Sequence, residues 1–379
     1  MIDITKFRHG LILAQVLILG FVPGPGRAQE SRNVPEPKRG FEQVQIEALG
    51  SERAALVWGR PVTEGYDLFL AVRDAEGAMQ SARRINRSPG DARLLGLDEA
   101  RPALATDGSE GIGVAWFDRN DALWATRSDD GGKSFADPIR LDGGDGRPEN
   151  VFVHAAFGSD ADLHVVWIDA RAAEKGQEEP AHVYHVVWGT RGPQPEEDLT
   201  GEHFESVCGC CRPFVRADRF GVTVVFRGID EGFRDVHRVR REARGAWSAP
   251  ERIGPPLWEI DACPMAGPIV GERGVLWRDG STGRDRILFG TTVTATPVEV
   301  VRGGSMATRW LSPRWVDADH VLVPGDPEGL LLERTGRVWE VVRSDLPSWC
   351  TDMARIGSQW LMVGDVEGRL ELEALVFDR

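Results

Sequence analysis

Residues 111–141 decide the fold, and they read GIGVAWFDRNDALWATRSDDGGKSFADPIRL. Ile112, Val114 and Trp116 alternate with smaller residues, which is the period-two pattern of a strand in a sheet. Residues 118–121 (DRND) have the composition of a turn, and the apolar residues that follow predict a second strand. The stretch therefore predicts an antiparallel pair of strands within an all-β fold.

A second turn follows directly, at residues 128–135 (SDDGGKSF). Ser128 and Asp130 can accept backbone N–H bonds inside a tight turn. Gly132 can adopt a positive φ without steric cost, and Phe135 is placed to pack beneath the turn. This spacing predicts a compact hairpin on the outer part of a structural repeat.

The apolar strand that ends near an aromatic residue or a polar turn recurs along the chain. Adjacent copies lie roughly 40 to 60 residues apart, the period of four-stranded propeller blades. We therefore predict an all-β β-propeller over residues 41–379, with seven blades favoured over six. The seven copies are residues 54–60, 112–118, 163–169, 222–228, 275–279, 320–326 and 360–365.

The N-terminus predicts export. Residues 1–28 have basic residues, then an apolar run at 11–22, then small residues at a cleavage site, as in a signal peptide. The alternative is an uncleaved membrane anchor, but the apolar run is short for a bilayer span. Residues 29–40 form a polar leader. We expect a periplasmic or secreted protein with no stable membrane anchor after cleavage.

Charge excludes one class of partner. The 379 residues carry a formal net charge of −14, and no basic stripe is available to neutralise phosphates, so we expect no nucleic-acid partner. A small molecule, a glycan or a protein remains as the expected ligand.

Polar and sulfur-containing residues recur about 13 to 15 residues before the strand aromatics, where the first strand of each repeat should begin. First strands line the channel of a propeller, so these residues should converge around one channel mouth. They are Arg101, His154, Cys211 with Arg212, Cys263 with Pro264, and Cys350 with Asp352.

The cysteines allow three interpretations. Cys208, Cys210 and Cys211 form a dense cluster, and Cys263 follows one blade period later. They form disulfides between loops, or a redox-active dithiol, or a soft-metal site. The metal site would add Met265 and His154, and copper is the cofactor that such ligands suit best. The chain has five cysteines, so at least one cysteine of a monomer is not in a disulfide bond. Cys350 would join the cluster if the last repeat has the same strand register as the others.

The charged residues near these positions also have two interpretations. They form ion pairs between blades, or they form an anion pocket, because guanidinium groups clamp carboxylates. The candidate ligand-binding residues are Arg101, His154, Arg212, Arg234, Asp235 and Asp261. Residues 171–180 and 192–202 are expected to be exposed loops.

Ser128-x-Asp130-x-Gly132-x-x-Phe135 resembles the Asp-box of the sialidase-like BNR-repeat superfamily. More narrowly, the CxCC motif at residues 208–211 resembles exported bacterial proteins that are called exo-sialidase-like. This resemblance implies a propeller with a pocket at its central channel.

The resemblance to true sialidases is incomplete. Sialidases use an early Arg-Ile-Pro motif, which is replaced here by Arg60-Pro61, and a late tyrosine nucleophile. The two tyrosines of this chain, Tyr66 and Tyr184, both lie in its first half. We therefore favour a non-catalytic binding propeller. The alternatives are an exo-α-sialidase-type glycoside hydrolase and a copper- or thiol-handling envelope protein.

Overall fold

The computed structural model describes most of the chain from Glu42 onward. All described residues belong to the second of two units into which the chain divides, Arg39–Arg379. The described ranges are 42–95, 100–144, 152–171, 180–242, 245–255, 257–260, 264, 266–284, 286–291, 296–302, 309–310, 312–326, 328–336, 338–367 and 369–376.

Seven successive antiparallel sheets form the blades of a seven-bladed β-propeller, and each blade is built from strands that are contiguous in the chain. The strands of blades 1 to 3 are β1 (Glu42–Leu49), β2 (Arg53–Pro61), β3 (Tyr66–Arg73), β4 (Arg83–Arg84); β5 (Ala103–Thr106), β6 (Ile112–Phe117), β7 (Leu123–Ser128), β8 (Ile139–Arg140); and β9 (Val153–Phe157), β10 (Leu163–Asp169), β11 (His182–Gly189), β12 (Gly192–Pro193), β13 (Glu197–Asp198).

The later blades follow the same antiparallel order. Their strands are β14 (Phe214–Asp218), β15 (Gly221–Arg227), β16 (Val236–Glu242), β17 (Glu251–Arg252); β18 (Ile269–Val270), β19 (Val275–Asp279), β20 (Arg286–Gly290), β21 (Val298–Arg302); β23 (Arg314–Trp315), β24 (His320–Val323), β26 (Glu328–Thr335), β27 (Val338–Pro347); and β28 (Asp352–Ile356), β29 (Gln359–Val366), β30 (Arg369–Val376). A separate short pair joins β22 (Arg309–Trp310) to β25 (Gly325–Asp326).

The seven repeated strand signals are confirmed as the second strands of the seven blades, β2, β6, β10, β15, β19, β24 and β29. Their composition has a simple physical reason. A second strand has a paired strand on each side and a neighbouring blade against each face. Every residue of β10 is accordingly buried, so these strands are almost continuously apolar, as in a sheet covered on both faces. That count settles the blade number at seven.

The core lies between blades, and the ring closes by face-to-face packing of the first blade on the last. Val44 and Ile46 of β1 share one buried cluster with Ala354 and Ile356 of β28. A hydrogen bond from the Ile46 N–H to the Asp352 carboxylate, 3.2 Å long, joins the same two strands. Among the described residues, blade 7 contains β28 to β30 only, and β1 belongs to blade 1. Apolar burial between blades therefore supplies the closure.

One loop prediction needs correction. Residues 192–202 were expected to be an exposed loop, but β12 and β13 both pair with β11 along this stretch. Glu197 is opposite His185, and Asp198 is opposite Tyr184. The segment lacks apolar alternation because its two short strands lie at the outer edge of blade 3. The other predicted loop, residues 171–180, lies largely outside the described residues.

The turn at residues 128–134 has the contacts that the sequence predicts. The Ser128 hydroxyl donates to Asp130 and accepts the Gly132 N–H at 2.9 Å. Asp130 accepts the backbone N–H and the hydroxyl of Ser134, and these bonds lower the pKa of its carboxyl to about 2. Gly132 has φ 86°, and Phe135 packs against the core between blades 1 and 2. The turn joins β7 to β8, far from the channel-lining strands.

Candidate functional site

A cavity of about 60 Å³ lies where the first strands of the blades begin. All seven blades contribute to its wall, because each first strand faces the channel. The principal polar residues are Gln45 and Glu47 from β1, Arg101 before β5, His154 from β9, Arg212 before β14, Ser312 and Arg314 around β23, and Asp352 from β28. Blade 5 contributes Gly267, Pro268 and Ile269 to the cavity wall. Arg101, His154 and Arg212, which the sequence predicts to converge, all line this cavity.

Three arginines line this cavity, and they come from alternate blades. Arg101 belongs to blade 2, Arg212 to blade 4 and Arg314 to blade 6. Arg212 and Arg314 are buried. The Arg212 Nε–H donates to the carbonyl of Val153 at 2.6 Å, which fixes the side chain against blade 3. Three guanidinium groups around one small cavity form a strongly cationic wall.

His154 is the neutral member of the site. Its Nδ1 accepts the N–H of Val215 at 3.3 Å, so the remaining nitrogen, Nε2, carries the proton of the neutral ring. The ring stacks on Phe214 with centroids 3.7 Å apart. Burial, followed by the charges of Arg212 and Arg101, holds the pKa of His154 well below its usual value. The imidazole is therefore a hydrogen-bond donor without a charge.

Two carboxyl groups share the cavity with the arginines. Asp352 accepts the backbone N–H groups of Ile46 and Met353, and the Arg101 Nη1 lies 4.0 Å from its Oδ2. Glu47 keeps contact with the water of the channel. Desolvation by the surrounding protein raises the pKa of Glu47, and the negative charge of Asp352 raises it further, whereas the positive charge of Arg101 lowers it. Asp352 is thus held in place by two backbone donors, and Glu47 is the carboxyl whose pKa is raised.

A larger cavity of about 330 Å³ continues along the same channel. It shares Glu47, Leu104, His154, Phe214 and Trp315 with the smaller one. Its remaining lining comes from residues further along the first strands, many of them small. The two cavities form a narrow polar chamber and a wider chamber in series.

The cysteine cluster is present in the loop that leads into β14. The Sγ atoms of Cys208, Cys210 and Cys211 all lie within 4.8 Å of one another. Cys208 is 3.4 Å from each of the other two sulfurs. Cys208 and Cys211 are buried thiols, whereas Cys210 is disulfide-bonded. Because Arg212 follows Cys211 directly, the cluster and the cationic cavity belong to one loop.

The buried side chain of Arg227 lies next to the cysteine loop and holds the neighbouring segments together. Arg227, 1% exposed, donates to the carbonyls of Ala266, Arg234 and Arg278. The Cys208 N–H in turn donates to the carbonyl of Arg227 at 2.9 Å. The backbone of the cysteine loop is therefore anchored on the same residue that joins the neighbouring segments.

The same arginine affects the chemistry of the cluster. The pKa of Cys208 is lowered to about 7, first by its contact with Cys211 and then by the charges of Arg227 and Arg234, against the effect of burial. The site therefore favours thiolate sulfur.

The other predicted site residues are placed as follows. Asp235 is buried and accepts the N–H groups of Leu257 and Trp258, so it holds the loop between blades 4 and 5. Arg234 offers its backbone N–H to Trp258 in the same loop. Cys350 packs in the apolar cluster of blades 6 and 7, and burial raises its pKa to about 12. Asp261, Cys263 and Met265 lie outside the described residues.

The cavity lining includes Glu47, Arg314 and Trp315, which were not among the sequence candidates. Asp352 was placed at the channel by the same interval as Cys350, and it does line the cavity. Arg314 stands next to Pro313, just as Arg101 and Arg212 stand next to a proline, and that shared pair is a signal that could have identified it. Glu47 has no such signal, since it is one of several glutamates near the start of the domain. Only the position of β1 in the ring brings it to the channel.

The residues that would be needed for a sialidase lie elsewhere. Tyr66 is in β3 and Tyr184 is in β11, the third strands of their blades. Tyr184 stacks on Trp167 with centroids 5.7 Å apart, within the core between blades 2 and 3. Arg60 is exposed near the end of β2. Both tyrosines of the chain therefore lie outside the channel, where a sialidase would need its nucleophile.

Comparison with known proteins shows the fold alone. No family model matches the chain, and no curated protein does. A puromycin-hydrolysing peptidase of Mycobacterium tuberculosis is similar with TM-score 0.56 and 12% identity over 89% of this chain, which matches 53% of that one. The β-propeller domain of the Trilobed protease from Pyrococcus furiosus gives TM-score 0.53 and 9% identity, over 90% of this chain and 96% of that one.

A polysaccharide lyase of family PL25, an ulvan lyase, gives TM-score 0.50 and 10% identity over 89% of this chain and 94% of that one. These structural neighbours are β-propellers of different activities, so their likeness assigns none of those activities here. Within the described part of the chain, no helix has the length and apolar character that a membrane crossing requires.

Proposed function

We propose that this chain is an exported propeller that binds a small organic acid, with the carboxylate held in the narrow chamber. One observation carries the proposal: Arg101, Arg212 and Arg314 converge on one cavity from alternate blades. Guanidinium groups form charge-assisted hydrogen bonds with carboxylates in a planar, two-pronged geometry. Export rests on the predicted signal peptide at residues 1–28.

The charge balance of the chamber supports an anionic ligand. Three arginines face Asp352 and Glu47, and the raised pKa of Glu47 favours the uncharged form of its carboxyl. A protonated carboxyl donates a hydrogen bond instead of repelling an anion. Neutral His154 is a second uncharged donor. The chamber therefore has a net positive charge and several donors.

The volumes of the two chambers indicate the size of the ligand. We assign the carboxylate to the narrow chamber of about 60 Å³, because the three arginines line it. The wider chamber, about 330 Å³, is within the range of roughly 300 to 1,000 Å³ that small-molecule sites occupy. A ligand with one carboxylate and a polar body of a few carbons would occupy both.

We expect Arg101→Met to weaken carboxylate binding about tenfold or more, because a charge-assisted hydrogen bond contributes about 1.5–3 kcal/mol. Methionine keeps an unbranched side chain while removing the guanidinium. Titration calorimetry with N-acetylneuraminate, citrate and acetate measures the affinity, and the quenching of Trp315 fluorescence provides a second signal.

The matched control is Arg240→Met on the exposed edge of blade 4, which should bind like the wild type. Glucose serves as the uncharged probe and should not bind. Equal affinities for Arg101→Met and the wild type, or glucose binding as tightly as the acids, would contradict the proposal.

A second candidate function is hydrolysis of sialosides. The turn at residues 128–135, whose sequence resembles an Asp-box, is held by hydrogen bonds from Ser128 and Asp130, and a cluster of three arginines is what a sugar carboxylate requires. The mechanism also needs a tyrosine nucleophile, and Tyr66 and Tyr184 lie away from the channel.

We therefore expect no release of fluorophore from a sialic acid glycoside by the purified protein. Release that is abolished in Arg101→Met would establish the hydrolase instead.

A further inference from the structure

The three sulfur atoms of the cysteine cluster are spaced like ligands of a common ion. Cys208 Sγ lies 3.4 Å from the sulfurs of Cys210 and Cys211, and all three atoms lie within 4.8 Å of one another. A disulfide bond would require about 2.05 Å. Thiolates bound to one metal at about 2.3 Å are roughly 3.5 to 4.5 Å apart. The 3.4 Å distances are too long for a disulfide within the cluster and about 0.1 Å shorter than this range, so a small shift of the sulfurs places one ion among the three atoms.

We propose that Cys208, Cys210 and Cys211 bind one Cu(I) ion through their sulfur atoms. The proposal is independent of the carboxylate site. Sulfur ligands select soft ions such as Cu(I). The group of potential ligands identified among the described residues consists of these three cysteines, a number that suits three-coordinate Cu(I) better than Zn²⁺, whose structural sites take four ligands.

The surroundings favour a compact, negatively charged metal centre. Three thiolates and one Cu(I) ion carry two net negative charges. The fully buried Arg227 lies beneath the same loop and makes its described hydrogen bonds to backbone carbonyls, so its charge is available to offset that of the centre. The Ala266 N–H donates to Cys211 Sγ at 3.4 Å, which orients that sulfur. Burial of Cys208 and Cys211 excludes water from a bound ion.

Binding depends on the redox state of the cluster, because Cys210 is disulfide-bonded in this structure. A dithiol reductant delivers two electrons and two protons to that disulfide, giving two thiols and the oxidised, cyclic disulfide of the reductant. Cu(I) then displaces the protons of the three thiols. The oxidised protein keeps only the thiols of Cys208 and Cys211 and should bind the ion far more weakly.

The test is an anaerobic Cu(I) titration of the full chain against a chromogenic Cu(I) chelator, with and without prior reduction by dithiothreitol that is then removed. We expect one equivalent to be taken up by the reduced protein only. X-ray absorption at the copper edge of the wild-type complex should show three sulfur neighbours. This measurement needs no variant, so it remains decisive if substitutions impair folding.

Cys208→Ser should abolish the stoichiometric uptake. Cys350→Ser, which changes a buried thiol in another part of the fold, is the matched control and should retain it. Copper with nitrogen or oxygen neighbours, equal uptake by the oxidised protein, unchanged uptake by Cys208→Ser, or stoichiometric Zn²⁺ binding without Cu(I) binding would each overturn the proposal.

Discussion

Acidification from pH 7.5 to pH 5 should remove about 4 kcal/mol of the stabilisation that His164 and His237 give the folded propeller, because each contributes about 1.4 kcal/mol per pH unit below its unfolded pKa. Burial lowers the pKa of His164 to about 3, with help from His185 and Arg241. Burial also lowers the pKa of His237 to about 4. Both rings are neutral in the folded state over this pH range.

The sign follows from proton counting. In the unfolded chain a histidine titrates near its usual pKa of about 6.5, so below that pH the unfolded state binds protons that folded His164 and His237 exclude. Their stabilisation is complete above about pH 6.5 and falls as the pH decreases towards the folded pKa. His154 and His185 act in the same direction, because burial lowers the pKa of each ring. His182 opposes the trend, because its bond to Asp198 raises its pKa. Glu47 opposes it as well, because its raised pKa lets the folded state hold a proton that the unfolded state releases. The low pKa of carboxyls such as Glu197 acts below this window.

Urea unfolding at pH 7.5, 6.5, 5.5 and 5.0, followed by tryptophan fluorescence, measures the effect. His164→Gln should flatten the pH dependence by up to about 1.4 kcal/mol per pH unit. His203→Gln, at an exposed position, should leave the slope unchanged. If His164→Gln had the same pH dependence as the wild type, the His164 ring would be solvated in the folded state and the argument from burial would be wrong.

The second large effect concerns Arg227. Arg227→Met should lower the free energy of unfolding by about 3–5 kcal/mol, because each buried carbonyl that loses its donor costs about 1–3 kcal/mol. The guanidinium donates to Ala266, Arg234 and Arg278, which joins blade 4 to blade 5. It also lies over the Trp258 ring, 5.2 Å from the centroid. The loss is a large part of the 5–15 kcal/mol that typically stabilises a domain.

Urea unfolding at pH 7.5 checks this prediction. Arg227→Lys should lie between the wild type and Arg227→Met, because an ammonium group cannot reach three diverging carbonyls. Arg240→Met on the exposed edge of β16 is the control and should change stability by less than about 0.5 kcal/mol. If Arg227→Met were as stable as the wild type, the carbonyls would have found other donors and the argument from burial would be wrong.

The Cys and Arg candidates show which site residues the strand register of the sequence could predict. Arg101, His154 and Arg212 were assigned to the channel because each precedes a strand aromatic by a similar interval, and the structure places all three on one cavity. Arg234 and Asp235 were chosen only for their nearness in sequence, and they hold a loop between blades instead. Cys350 follows the same interval, yet its side chain enters the apolar core.

The sequence by itself determined the all-β class, the seven blades and the turn at residues 128–135. These features depend on local patterns, since the second strand of a blade is covered on both faces wherever it lies in the ring. Tertiary structure alone decided which residues of the first blade share the channel with the rest. Ring closure brings Glu47 of blade 1 to the same cavity as Asp352 of blade 7, and no periodicity encodes that contact, because it arises from the packing of the first blade on the last.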